Sequence, residues 1–218
     1  MQEEAPGRYP RSLRVCTVVN FPSGQEPLEK VVQDTSRAVA DGADEVDLVI
    51  DHRLLKEDAA RGREAAVRLV RAVRDECPDG QVLLKVIIES GELGEAALIR
   101  SASEAAIAGG CDFVKTSTGK VKVHATPEAA QIMLSTIAAN EKANGDGRVV
   151  GFKAAGGVRD IAQSRVYLEL AAEALLGDRN RILEVDSRRL RFGSSSLLPS
   201  LRRFISGEAE AAQSEAGY

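Results

Sequence analysis

The chain has 218 residues, and its 29 basic and 33 acidic side chains give a formal net charge of −4. With 44% hydrophobic and 28% charged residues, it has the composition of a globular domain rather than of a disordered chain. This acidic balance argues against general nucleic-acid binding, and no apolar run approaches the roughly 18 to 20 residues of a membrane span. A barrel of eight β/α units needs roughly 250 residues, with about 200 as the lower limit, so the length leaves that fold open.

The first residues and the cysteines bear on compartment and on bound groups. The opening MQEEAPGRYP is acidic and has no apolar run, so we expect no secretory signal and a cytoplasmic protein. Cys16, Cys77 and Cys111 are widely spaced, which indicates neither a disulfide framework nor a zinc site, and we expect them to be small buried apolar residues. His52 and His124 lie outside any metal-ligand spacing, so we predict no metal and no cofactor.

Short β-rich runs alternate with longer segments of helical period along the chain. Strands are predicted at 15–21, 45–50, 82–89, 113–118, 149–155 and 190–195. Their spacing of about 30 to 40 residues is that of repeated β/α units. Strands with this much apolar character belong to a parallel sheet covered by helices, which leaves two architectures, an open doubly wound sheet or a closed β/α barrel.

Helix boundaries follow from capping residues. Thr126 and Pro127 form an N-cap and first-turn pair for a helix predicted to run through Ile137, while Gly42 and the pair 109–110 stand where helices should end. A short last helix is predicted at 197–205.

Four charged residues lie inside the apolar strands. They are Asp47 in EVDLVI, Lys85 in LLKVII, Lys115 in FVKTSTG and Lys153 in VGFKAAGG. They could be exposed edge residues or structural ion pairs, but four in register in consecutive parallel strands favour a site. Two adjacent lysines lower each other's pKa, and a neutral amine can form a Schiff base with a carbonyl while a carboxylate moves protons. These parts describe a metal-independent aldolase.

Small residues follow the last two strands. Gly156 and Gly157 come after the Lys153 strand, and GSSS at 193–196 comes after the final strand and opens the last helix. Backbone N–H groups and hydroxyls at such positions bind anions, and β/α barrels frequently bind phosphate after their last two strands. The pairing of the two loops favours a phosphorylated aldehyde or sugar as substrate.

The motifs, taken together, resemble those of the deoxyribose-phosphate aldolases, class I aldolases with a β/α-barrel fold. The resembling stretches are VCTVVNFPSG, GADEVDLVI, LLKVIIESGEL, DFVKTSTGK, VGFKAAGGVR and RFGSSSLL, in the family's order and over nearly the whole chain from about residue 10. The resemblance implies reversible cleavage of 2-deoxy-D-ribose 5-phosphate to acetaldehyde and D-glyceraldehyde 3-phosphate. It makes the protein a carbon–carbon lyase of deoxyribonucleotide and carbohydrate catabolism.

The same resemblance implies roles for individual residues. Lys115 matches the Schiff-base lysine, Lys153 the lysine that lowers its pKa, and Asp47 the aspartate that relays protons. Lys85 matches a lysine of the barrel interior, and Tyr218 the family's C-terminal tyrosine, which assists proton transfer from a mobile tail. The positions expected near the substrate phosphate are Lys120, Gly156, Gly157, Ser195 and Ser196.

Two departures from the family pattern concern Ala154 and the number of units. Ala154 replaces a common proline, which removes no functional group. Six β/α units are visible where the family has eight, so the expected fold is an α/β barrel of the TIM type that lacks its first two units. We expect a remnant or alternative start at 1–14, the incomplete barrel at 15–206 and a flexible tail at 207–218.

Three hypotheses follow. The first is an active aldolase whose partners are its phosphorylated substrate and, by prior expectation, a second copy in a homodimer. The second is a truncated, catalytically impaired family member that retains at most phosphate binding, with open apolar edges that invite pairing. The third, another Schiff-base or phosphate-binding barrel enzyme, is disfavoured by the paired strand lysines and the NFPSG segment.

Overall fold

The computed structural model describes residues 13–144 and 147–207. Nearly all of the expected N-terminal remnant, and the expected tail beyond residue 207, therefore lie outside the described residues. The strands are β1 Cys16–Val19, β2 Glu45–Val49, β3 Leu83–Ile87, β4 Phe113–Lys115, β5 Gly151–Ala155 and β6 Leu190–Gly193. The helices are α1 Leu28–Ala40, α2 His52–Glu57, α3 Ala59–Glu76, α4 Ser90–Leu93, α5 Ala96–Gly109, α6 Pro127–Asn144, α7 Ile161–Leu176 and α8 Leu197–Ile205, with a 3₁₀ turn at Ile182–Glu184.

The six strands form one parallel sheet in chain order, from β1 at one edge to β6 at the other. All six predicted strands are present, each within its predicted segment. Because every neighbour pair is consecutive and parallel, the connections repeat the β/α crossover and the sheet curls in one direction. The result is a curled half-barrel, with six units of a TIM-type fold in the described residues. The alternative of a doubly wound sheet is wrong, because that fold reverses its strand order.

The convex side of the sheet carries the hydrophobic core. Residues that alternate along the strands pack against the helices and are almost fully buried, among them Val46, Leu48, Leu84, Val86 and Phe152. From α3, the predicted face of Ala66, Val70, Val73 and Cys77 meets them. The alternation leaves the intervening strand residues on the concave side, where the sequence places its charges.

Side chains of loop residues cap the N-termini of several helices. The Thr126 hydroxyl accepts from the N–H of Ala129 at 3.1 Å, as its N-cap prediction requires, although α6 runs seven residues beyond the predicted end at Ile137. Asp160 caps α7 through the Gln163 N–H. Short helices α2 and α4 were not predicted, since six and four residues are too few for a helical period to be recognised.

The curl brings β2 and β6 within reach of each other across the concave side. The guanidinium of Arg191, on β6, donates to the carboxylate of Glu45, on β2, although three strands lie between them in the sheet. The same guanidinium stacks 4.9 Å from the ring centre of Phe113 on β4. The concave side is therefore strongly curved rather than flat. None of the helices in the described ranges is long and apolar enough to cross a lipid bilayer.

A close backbone approach after β1 gives a test of the fold. Gly24 has φ +74°, and a Cβ there would lie 2.3 Å from the carbonyl oxygen of Ile50. Gly177 has the same φ of +74° with no atom within 4 Å of the added Cβ. We expect Gly24→Ala to destabilise the protein by about 1 to 3 kcal/mol more than Gly177→Ala. Both variants force an alanine into the left-handed region, but only the new Cβ at position 24 collides with the Ile50 carbonyl. Denaturant unfolding of the two variants measures the difference, and equal midpoints would contradict this packing.

Candidate active site

One carboxylate stands at the centre of the concave side. Asp47 Oδ2 lies 2.6 Å from Nζ of Lys115 and 2.8 Å from Nζ of Lys153, while its Oδ1 lies 3.0 Å from Nζ of Lys85. The strand register produces this arrangement, since Asp47 pairs with Lys85, and Lys115 pairs with Lys153 two residues further along the strands. The four charged residues singled out in the sequence therefore form a single cluster.

Burial makes the charges of this cluster interact strongly. Asp47 is 1% exposed, Lys85 is fully buried and Lys115 is 8% exposed. Burial by itself would raise the pKa of the Asp47 carboxyl, but the ammonium groups of Lys115, Lys153 and Lys85 outweigh it and hold that pKa well below its ordinary value. Asp47 is thus a fixed anion to which three amines are bound.

The environment of Lys115 differs from that of Lys85. Burial, assisted by the positive charge of Lys153, lowers the pKa of Lys115 in spite of the attraction of Asp47. For Lys85, burial also acts to lower the pKa, but Asp47 and Glu45 reverse the effect and raise it. Lys115 is therefore the more readily neutralised amine, and Lys85 stays a cation.

Glu45 and Arg191 extend the cluster, and the sequence reasoning missed both. Lys85 Nζ lies 2.6 Å from Glu45 Oε2, and Glu45 also accepts from Arg191. Burial would raise the pKa of Glu45, but Lys85 and Arg191 outweigh it and lower that pKa. Glu45 is two residues before Asp47 and so shares its face, a signal that could have identified it. The contact of Arg191 with Glu45 depends on the curl of the sheet, which no local sequence pattern shows.

The prediction of buried cysteines is right for two of the three. Cys77 and Cys111 are buried, and burial raises the pKa of their thiols to about 11 and about 12. Cys16 is exposed, contrary to the prediction, because it lies on the edge strand β1, where no further strand covers it in the described residues. Its Sγ lies 3.3 Å from Asp47 Oδ1 and 3.5 Å from Lys85 Nζ, at the rim of the cluster.

The loop after β4 is tied to both neighbouring strand ends. The hydroxyl of Thr116 donates to the carbonyl of Ala155 at 3.3 Å and accepts from its N–H at 3.0 Å. On the other side, the N–H and hydroxyl of Thr118 donate to the carboxylate of Glu89. Lys120, one of the residues expected near the phosphate, is exposed two residues further on.

The other predicted phosphate residues occupy the adjoining loops after β5 and β6. Gly156 and Gly157 have φ of +74° and +80°. The Gly156 N–H is occupied, because it donates to the carbonyl of Gly193 at 3.1 Å. Ser195 and Ser196 are exposed at the start of α8, beside Ser194, whose hydroxyl accepts from the N–H groups of Ser196 and Leu197. The loops are thus joined side by side, whereas Tyr218 lies outside the described residues.

Comparisons with known proteins agree with this geometry. The family model described as DeoC/LacD family aldolase matches residues 3–181. Two crystal structures of a protein from Toxoplasma gondii, assigned as a deoxyribose-phosphate aldolase, are similar at 28% and 29% identity with TM-scores of 0.73 and 0.76. The similarity covers 84% and 88% of this chain, and 67% and 71% of theirs. The deoxyribose phosphate aldolase of Aeropyrum pernix, described as tetrameric, shares the fold at 24% identity and a TM-score of 0.59, over 89% of this chain and 69% of its own.

The family match covers most of the chain and includes all four charged strand residues. The curled parallel sheet and the solved structures of similar fold lead to the same assignment. The chain belongs to the DeoC/LacD family of aldolases, which are carbon–carbon lyases.

Proposed function

We propose that this protein is a class I aldolase that reversibly cleaves 2-deoxy-D-ribose 5-phosphate to D-glyceraldehyde 3-phosphate and acetaldehyde through a Schiff base on Lys115. The observation that carries the proposal is the sharing of one carboxylate oxygen, Asp47 Oδ2, by the amines of Lys115 and Lys153. Two amines competing for one anion, in a buried site, favour loss of a proton from one of them. The similar structures assigned as deoxyribose-phosphate aldolases support the choice of substrate.

Lys115 is proposed as the nucleophile. Its lowered pKa increases the fraction of neutral amine near pH 7, and its 8% exposure leaves the amine open to the concave side. The amine attacks the C1 carbonyl of the open-chain sugar and forms a carbinolamine. Asp47, at 2.6 Å, is placed to move a proton to the departing hydroxyl, directly or through water, so that water leaves and the iminium forms.

The iminium then accepts the electrons of the broken carbon–carbon bond. The C3 hydroxyl loses its proton, the C2–C3 bond breaks, and its electron pair moves into an enamine on Lys115. Glyceraldehyde 3-phosphate departs. Protonation at C2 and addition of water release acetaldehyde and restore the Lys115 amine. Lys153 lies beside this amine with its Nζ 2.8 Å from Asp47 Oδ2, and Lys85 keeps Asp47 in place.

The substrate phosphate is proposed to bind where the loops after β4, β5 and β6 meet. Lys120, Gly156, Gly157, Ser195 and Ser196 would line this end. The start of α8 contributes the positive end of a helix dipole. The Gly156 N–H is bound to Gly193 and the Ser196 N–H to Ser194, so an anion would draw on Lys120, the Gly157 N–H, Ser195 and the Ser196 hydroxyl, which would turn from Ser194.

Borohydride trapping tests the proposal. The protein is incubated with deoxyribose 5-phosphate, reduced, digested and mapped by mass spectrometry, with Lys115→Ala as the comparison. We expect a reduced adduct on the peptide that carries Lys115, absent from the variant. A folded protein that gives no adduct would instead support the truncated, impaired family member.

Removal of Lys153 should move the pH dependence of the reaction. We expect Lys153→Leu to raise the pKa of Lys115, because a repelling charge disappears and Asp47 is shared with one amine fewer. The free amine then needs a higher pH, so the acidic limb of log kcat/KM against pH shifts to higher pH. Lys153→Arg, which keeps the charge, is the control. An unshifted limb in Lys153→Leu would rule out this coupling.

A further inference from the structure

Glu89 is a buried acidic residue in an unfavourable backbone conformation. It follows β3 and precedes α4, it is 0% exposed, and its φ of +53° lies in the left-handed region. Within the described chain, only Asn20 is another non-glycine residue with positive φ. A side chain in this region is strained and persists where the surroundings fix it, often at functional sites.

The hydrogen bonds of the Glu89 carboxylate lead to one loop. Its carboxylate accepts from the N–H of Thr118 at 3.2 Å through each oxygen, and from the hydroxyl of Thr118 at 2.5 Å. These donors are neutral. The backbone beside Glu89 also contacts this loop, because the Ser90 N–H donates to the carbonyl of Thr116 at 2.8 Å. The residue is thus directed at the segment that follows Lys115.

Thr118 passes this restraint on to Lys120. The Thr118 hydroxyl, which donates to Glu89, also accepts from the Lys120 N–H at 3.1 Å. The hydroxyl has one proton, so its donation to Glu89 orients its lone pairs toward Lys120. Lys120 itself is exposed, and hydrogen bonding of its backbone through Thr118 limits the positions that its ammonium can reach.

We propose that Glu89 is a positioning residue for the phosphate end of the substrate, acting through Thr118 on Lys120. The proposal rests on the proposed function only in taking Lys120 as a phosphate ligand. Glu89 touches neither the substrate nor the amine of Lys115. A buried acidic residue that served the fold alone would affect stability without changing the affinity for an anion.

Binding of inorganic phosphate, measured by calorimetry, tests this role without requiring catalysis. The variants are Glu89→Gln and Thr118→Val, with Glu92→Gln on the adjoining helix α4 and Thr118→Ser as matched controls. We expect Glu89→Gln and Thr118→Val to weaken phosphate binding about tenfold. Glu89→Gln removes the charged acceptor of the Thr118 hydrogen bonds, and Thr118→Val removes the hydroxyl that links Glu89 to Lys120. The phosphate affinity of Glu92→Gln and of Thr118→Ser should stay within about twofold of wild type. The first keeps the Glu89 carboxylate, and the second keeps a hydroxyl at position 118. Lys120→Ala should weaken binding at least as much as Glu89→Gln.

Two results would overturn the proposal. One is phosphate binding by folded Glu89→Gln and Thr118→Val at the wild-type affinity. The other is a Lys120→Ala variant that binds phosphate with the wild-type affinity, or a wild-type protein that does not bind phosphate, because either result shows that Lys120 is not a ligand. Thr118→Val keeps Glu89 in place, so the test stands even where Glu89→Gln does not fold. Borohydride trapping with unphosphorylated 2-deoxyribose separately reports the Lys115 chemistry, which distinguishes failure of this inference from failure of the proposed reaction.

Discussion

Replacement of Lys115 by alanine is expected to lower kcat/KM for deoxyribose 5-phosphate by roughly 10⁴-fold or more, as loss of a covalent nucleophile does in other enzymes. The same change should affect stability little, because Asp47 keeps the amines of Lys153 and Lys85 at 2.8 and 3.0 Å. A large loss of activity with an almost unchanged free energy of unfolding identifies a group that acts in chemistry. Steady-state kinetics and denaturant unfolding on the same preparation measure the two quantities.

Lys115→Arg is the control for charge. The guanidinium keeps a cation beside Asp47 but cannot form a Schiff base, because it stays protonated. We expect it to be as inactive as Lys115→Ala and to yield no reduced adduct. Retention of more than about one hundredth of the wild-type kcat/KM by either variant would show that another amine carries the covalent step.

The strands and the charged cluster could be predicted because both depend on local pattern. Apolar runs at regular spacing predict parallel strands, and Asp47, Lys85, Lys115 and Lys153 stand out because charges are rare in such runs. The face of each charge follows from the alternation along its strand, but the register, which pairs Asp47 with Lys85 and pairs Lys115 with Lys153 two residues further on, does not. The sequence cannot show that one carboxylate binds all three amines, since that depends on how strongly the sheet curls.

The residues that were missed depend on contacts between distant segments. Arg191 lies 146 residues from its partner Glu45, and a single arginine near a strand start looks like a solvated one. Glu89 follows the strand in LLKVIIES and resembles the polar end of a strand, whereas its burial and left-handed backbone come from the packing of the loop after β4. Gly156 and Gly157 both have a left-handed backbone, but which of their N–H groups remain free for an anion depends on the neighbouring β6 loop.

Replacement of Asp47 by asparagine is expected to be damaging to both stability and activity. The isosteric amide leaves the buried amines of Lys85 and Lys115, and the partly buried amine of Lys153, without their shared anion. Loss of one partner from a buried ion pair costs about 3 to 5 kcal/mol. That is a large part of the roughly 5 to 15 kcal/mol that stabilises a domain. Activity should also fall, because no carboxylate remains to move protons at the carbinolamine.

The stability effect should depend on pH in a defined direction. The pKa of Asp47 is lower in the folded chain than in the unfolded chain, so its ionised form stabilises the fold above the unfolded value of about 4. This contribution is lost as the pH falls through the folded-state pKa. The difference in unfolding free energy between wild type and Asp47→Asn should therefore be constant from about pH 5 to 7 and shrink below about pH 4.

A double variant separates the two roles of Asp47. In Asp47→Asn/Lys85→Met, one of the three cations that lost Asp47 is also removed, so part of the lost stability should return, while Glu45 still pairs with Arg191. Activity should stay at the level of Asp47→Asn, because charge balance is partly restored but the proton-transferring carboxylate is not. If activity returned together with stability, Asp47 would act only by holding the lysines in place, and proton transfer would have to be assigned to water or to another group.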